Sequence, residues 1–169
     1  MKPSCLLIRA PGTNCDRELI HAFELAGAAA SDVHIDALIA DPAPLDAAQI
    51  IAFPGGFSYG DDVAAGRIFA HRLRQRLLEP LQNAVQRGTP VIGICNGFQV
   101  LVKCGLLPDP AHSGQSVTVS DNTTGRFIDR WVKLQANPDS PCIWTQGLTA
   151  MDLPIAHGEG RFTAPPEVI

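Results

Sequence analysis

Residues 91–101 read VIGICNGFQVL, and the fold of the chain turns on how this stretch is built. A short apolar run bounded by a turn reads as a buried strand, taken here from Thr89 to Cys95. The next segment, NGFQVLVKCGLL from residue 96, has helical character. Strand, sharp turn and helix in immediate succession is the layout of a nucleophile elbow. Gly93 and Gly97 stand two residues to either side of Cys95, giving G-x-C-x-G, and a bulky side chain at either place would collide in so tight a turn. A thiol at a helix start has the helix dipole favouring its thiolate. The N–H of Asn96 is then available to an oxyanion. Against this stands the ordinary role of a free cysteine, a small buried hydrophobe. Position at the carboxyl end of a parallel strand favours the functional reading.

Working outward, the same alternation recurs. SCLLIRA (4–10) is a buried strand stopped by Pro11-Gly12. Asn14 is placed to cap the helix CDRELIHAFELAGA, whose Leu19, Ile20, Phe23, Leu25 and Ala26 form an apolar face. DVHIDAL reads as a second strand and QIIAFPGG (49–56) as a third. Residues 61–88 read as mostly helical, ending at Arg87-Gly88. Strands separated by helices imply βαβ units and a parallel sheet covered on both faces. From about residue 108 the character changes, and DNTTGRFIDRWVKLQAN and MDLPIAHGEGRF read as strands with loops. No linker or repeat interrupts the chain, so one domain over 1–169 is expected.

The 169 residues carry a net charge of −4, with 46% apolar and 18% charged residues. That balance fits a globular domain and argues against a nucleic-acid surface or an anionic-membrane binder. No apolar run approaches the roughly 18–20 residues that span a bilayer, and the opening MKPSCLLIRAPGTN reads as a first strand rather than a signal peptide. The dense stretch HRLRQRLLEP reads as the solvated face of a helix. Five cysteines, at 5, 15, 95, 104 and 142, form no CxxC pair and lack metal-site spacing. Their odd number and scatter fit a reducing cytoplasm. Cys5 reads as strand core, Cys104 lies inside a helix, Cys142 adjoins Ile143, and Cys15 has no flanking glycine pair.

A second glycine-rich turn, PGGFSYGDD (54–62), follows a strand at the same edge of the sheet. Its backbone N–H groups can supply another oxyanion donor. A phosphate loop is the rival reading, but neither GxxxxGK[ST] nor GxGxxG is present.

PGGFSYGDD and GICNGFQVL together resemble the class I glutamine amidotransferase family, and within it the glutaminase subunits of phosphoribosylformylglycinamidine synthases of purine biosynthesis. APGTNCDRE, GLLP, RFIDRWVKL and PIAHGEGRF extend the resemblance over nearly the whole chain. It implies a flavodoxin-like open, mostly parallel sheet with helices on both faces. It also implies that Cys95 attacks the glutamine side-chain amide and forms a glutamyl thioester. Gly56 and Asn96 would then supply oxyanion N–H groups and Gln99 would hold substrate, with Ser58 and Tyr59 as further pocket candidates. Ammonia would pass to a larger synthetase partner that binds ATP and Mg²⁺. No cofactor is implied on this chain, and a small accessory subunit is left open.

The resemblance implies a general base from a His-Pro-Glu segment near the C-terminus. Residues 1–169 contain none, so C-terminal sheet elements are expected to be missing. His157-Gly158-Glu159 offers H-x-E spacing, which in an extended segment puts both side chains on one face, a base with its orienter. The resemblance instead makes HGEGR a structural or partner-facing segment. His21, His34, His71 and His112 read as ordinary surface or core. Two other readings stay open: a silent binding subunit without a base, or a different elbow-cysteine hydrolase on the same scaffold.

Overall fold

The computed structural model describes residues 1–109 and 114–168. They divide into two compact units, Met1–Thr118 with the segment from Ala164, and Val119–Thr163.

The first unit is built on four parallel strands in the order β2-β1-β3-β4: β1 (Ser4–Arg9), β2 (Ala29–His34), β3 (Ile50–Phe53) and β4 (Val91–Gly93). Registers run Cys5↔Ala30 between β1 and β2, Cys5↔Ile50 between β1 and β3, and Ile51↔Val91 between β3 and β4. Strand alternation sends successive side chains to opposite faces. Ile8, Ile51 and Phe53 meet a large core drawn from α2 (Ile35–Ala40), α3 (Ala43–Ala47), α4 (Arg67–Arg76), α5 (Leu78–Gln86) and α6 (Asn96–Cys104). Cys5, Leu7 and Ala52 point to the other face, where Leu19, Ile20 and Phe23 of α1 (Asp16–Leu25) pack. The coverage of the two faces is therefore unequal. With this order the direction in which successive strands are added reverses between β1 and β3, and clefts in open α/β sheets form at the carboxyl ends beside such a point.

Two local expectations are corrected. DVHIDAL is not one strand: β2 starts at Ala29 and ends at His34, and Ile35 opens α2. The His34 ring accepts the Asp36 N–H at 3.2 Å and caps the helix, while Ile35 and Leu38, three apart, both reach the core at 0% exposure. Asn14 does not cap α1; the N-cap is Cys15, without a side-chain hydrogen bond. The stretch 61–88 is mostly helical as expected, in two helices, with α4 starting at Arg67 and the chain breaking at Leu77, where φ is −129°.

The second unit contains two small sheets. β6 (Ile128–Gln135) and β7 (Ala150–His157) pair antiparallel from Ile128↔His157 to Gln135↔Ala150. β5 (Thr118–Asp121) pairs with β8 (Glu159–Thr163).

Candidate active site

β4 ends at Gly93, and Cys95 stands immediately before α6. Its backbone has φ 54° and ψ −112°, a conformation that a non-glycine residue holds only against strain. The two flanking glycines explain how the turn closes. A Cβ on Gly97 would lie 2.0 Å from the Phe53 carbonyl oxygen, and one on Gly93 would lie 2.6 Å from the Gly97 carbonyl carbon. The helix thus starts pressed against the end of β3, and the Cys95 side chain is left exposed. Asn96 is the first residue of α6, so its N–H has no intrahelical acceptor.

The second loop is bound to both its neighbours. Phe57 N–H donates to the Gly12 carbonyl at 3.0 Å, Cys15 N–H to the Gly55 carbonyl at 3.3 Å, and Thr13 bridges Gly56. The loop after β1 is thereby zipped to the loop after β3, which fixes the backbone around Gly56. On the other side the Asn96 side chain reaches across. Its Oδ1 accepts from the Ser58 hydroxyl at 2.7 Å and the Ser58 N–H at 3.3 Å, and its Nδ2 donates to Asp61 Oδ1 at 2.9 Å and Gln99 Oε1 at 3.3 Å. Ser58 and Asn96 are both buried. The Tyr59 hydroxyl accepts from Arg72 Nη1 at 2.7 Å, and Arg72 also pairs with Asp36. The side chains of Ser58 and Tyr59 are therefore engaged within the protein.

An open cavity of about 240 Å³ adjoins the thiol, lined by Cys15, Glu18, Leu19, Ala22, Gly55, Ile94 and Cys95. Sequence reasoning missed that Cys15 shares it; the two loops carry no pairwise signal for this. Burial first, then the nearby Glu18, Cys95 and Asp16, push the Cys15 thiol up. Cys5 and Cys104 are buried, and burial pushes each up to about 11.

His157 and Glu159 lie in the second unit. The His157 Nδ1 is 2.9 Å from Asn122 Oδ1, which also accepts the Gly160 N–H at 3.1 Å. Asn122 Nδ2 donates to the carbonyls of Arg126 and His157, both at 2.9 Å. Those two carbonyls fix which way the amide faces, so His157 Nδ1 is the donor. The ring lies over Gly160, where a Cβ would come within 2.0 Å of it. The chain bends at Gly158, so His157 closes β7 and Glu159 opens β8, and the two do not lie on one continuous strand. His21 lies in α1, His71 in α4, and His112 lies outside the described residues. Among the described residues no group of histidine, cysteine or carboxylate side chains could hold a metal ion, and no helix is long and apolar enough to cross a membrane.

The model of the CobB/CobQ-like glutamine amidotransferase domain matches residues 2–169. The chain belongs to this glutamine amidotransferase family. A phosphoribosylformylglycinamidine synthase subunit PurQ from Dehalococcoides mccartyi is 51% identical over 99% of this chain and 66% of its own length. One from Methanococcus maripaludis is 43% identical over 96% of this chain and 61% of its own length. The chain therefore spans a little under two thirds of these curated relatives. A chain in the structure of PurLQS from Thermotoga maritima superposes with a TM-score of 0.79 at 35% identity, covering 99% of this chain and 72% of that one. A second glutamine amidotransferase from Thermotoga maritima, 16% identical, shares the fold with a TM-score of 0.58. The flavodoxin-like parallel sheet expected from the sequence is thus the amidotransferase fold.

Proposed function

We propose that this chain is the glutaminase part of a phosphoribosylformylglycinamidine synthase, using Cys95 to release ammonia from glutamine. The observation that carries the reading is the strained Cys95 at the head of α6, set against the loop that holds Gly56. Cys95 Sγ attacks the side-chain carbonyl carbon of glutamine, and the carbonyl oxygen takes up negative charge between the N–H groups of Gly56 and Asn96. The tetrahedral intermediate collapses with the nitrogen leaving as ammonia. Water then cleaves the thioester and frees glutamate. Gln99, one turn along α6, is assigned to hold the substrate. The family relatives named as synthase subunits support a larger synthetase partner that consumes the ammonia with ATP and Mg²⁺, possession of which is not asked of this chain. A small accessory subunit and a cytoplasmic setting belong to the same proposal.

The general base is assigned to the histidine of a His-Pro-Glu segment, which residues 1–169 do not contain. His157 is assigned a structural or partner-facing role on the resemblance of HGEGR to the family segment, since its Nδ1 bond to Asn122 is one that the orienting partner of a base would also make. The test is reconstitution of the full-length protein with its synthetase. Cys95→Ala should abolish glutamine-dependent synthesis and leave ammonia-dependent synthesis in place. Persistence of glutamine use in that variant would remove Cys95 from the mechanism. The intact mass of the native protein decides where the base can lie. A mass above 18.0 kDa directs the search to the added residues, and a mass of 18.0 kDa leaves His157 as the candidate.

A further inference from the structure

The Asn96 amide joins the elbow to the loop of residues 58–61, and Asp61 and the Ser58 N–H fix its two ends. Asp61 Oδ1 accepts from Asn96 Nδ2 at 2.9 Å and from the Gly66 N–H at 3.0 Å. Asp61 reaches this point from a left-handed backbone, φ 52°, after two further left-handed residues, Tyr59 and Gly60. A carboxylate can only accept, so the NH₂ end of Asn96 must face it. The oxygen end must then face Ser58, where an N–H and a hydroxyl both donate. The amide is thereby held at both ends in a buried setting, where a reversed orientation would set donor against donor.

This matters because of what the two clamped residues carry. Asn96 bears one of the two N–H groups assigned to the oxyanion. Ser58 is two residues past Gly56, which bears the other. Fixing Ser58 against Asn96 therefore sets the separation of the two donors. Resting on the glutaminase reading above, we propose that Asp61 is a positioning residue. It orients the Asn96 amide, which draws the 56–61 loop onto the elbow so that the N–H groups of Gly56 and Asn96 converge on one oxygen. Asp61 itself does not touch the substrate.

Loss of a single oxyanion donor costs roughly 100- to 1,000-fold in turnover, so misplacement of one should cost about 10- to 100-fold. The experiment uses the full-length protein reconstituted with its synthetase. Asp61→Asn, which keeps the shape but can donate as well as accept, should lower glutamine-dependent kcat by about 10- to 100-fold. KM for glutamine should stay near wild type, and the variant should co-elute with the synthetase on gel filtration, showing that the subunit is folded and docked. In an Asn96→Ala background, which keeps the backbone N–H, Asp61→Asn should have little further effect. A kcat within threefold of wild type, or a full multiplicative loss in the double variant, would overturn the proposal.

Hydrogen exchange tests the clamp without glutamine. The Ser58 N–H should exchange at least several-fold faster in Asp61→Asn. Unchanged exchange would sink the clamp even if the enzyme uses glutamine. Faster exchange in a protein that never uses glutamine would instead sink the glutaminase reading, and the positioning role with it.

Discussion

The segment around Cys95 and the segment around His157 both look chemically promising in sequence, yet their surroundings differ. At Cys95 the backbone is strained, the glycines on either side give way to neighbouring main chain, and the thiol is left exposed beside a cavity. At His157 a network holds the ring: Asn122 binds Nδ1, two carbonyls and the Gly160 N–H, and the glycine accommodates the imidazole.

The sharpest way to break this contrast is a pair of substitutions in the full-length complex. Cys95→Ala should lower glutamine-dependent turnover by about 10⁴-fold or more, the scale seen when a catalytic nucleophile is removed. His157→Gln should lower it by less than tenfold. A loss at His157 comparable to that at Cys95 would make it the base and reverse its assignment.

Next in size is the packing of the elbow. Gly97→Ala places a methyl group into the Phe53 carbonyl. It should cost about 3 kcal/mol or more, since main chain must move, and thermal melting should fall by about 6–12 °C. A melting point within 2 °C of wild type, an order-of-magnitude guide from the same scaling, would mean that α6 can shift at no cost.

Removing the Asn122 side chain tests the other side. Asn122→Ala leaves the Gly160 N–H and two carbonyls without their partner, at about 1–3 kcal/mol. Hydrogen exchange across residues 119–163 should accelerate while glutamine turnover changes little. A large loss of turnover with unchanged exchange would show that the segment acts on chemistry after all.

The smallest effect separates the cysteines themselves. At pH 8 iodoacetamide should modify Cys95, Cys15 and Cys142, which are exposed, and spare Cys5 and Cys104 until the protein unfolds. Burial raises the folded-state values of Cys5 and Cys104 to about 11 from an ordinary 9.0. Between those values the unfolded thiols have lost protons that the folded ones retain. The folded state then binds more protons, so stability should fall as pH rises from 9 toward 11. Urea titrations at pH 8 and 10 measure this, and Cys104→Ala should flatten the slope.

The sequence carried the elbow almost complete. Strand, G-x-C-x-G and helix are contiguous, and their steric demands act between residues a few positions apart, so the pattern alone placed Cys95. It also carried the parallel α/β class, because short apolar strands alternate with helices along the first part of the chain. Local capping was less legible. DVHIDAL looks like one strand until the His34 ring, at the end of β2, is seen accepting the Asp36 N–H, where the chain turns into α2. What only the tertiary structure decided are the long-range pairings. Cys15 meets Cys95 across Gly55, and Asp61 reaches Asn96 over 35 positions. Asn122 holds His157 at the same sequence separation. These contacts depend on which loops the sheet order brings to one edge and on which polar atoms remain once the backbone is paired, and neither leaves a periodic trace along the chain.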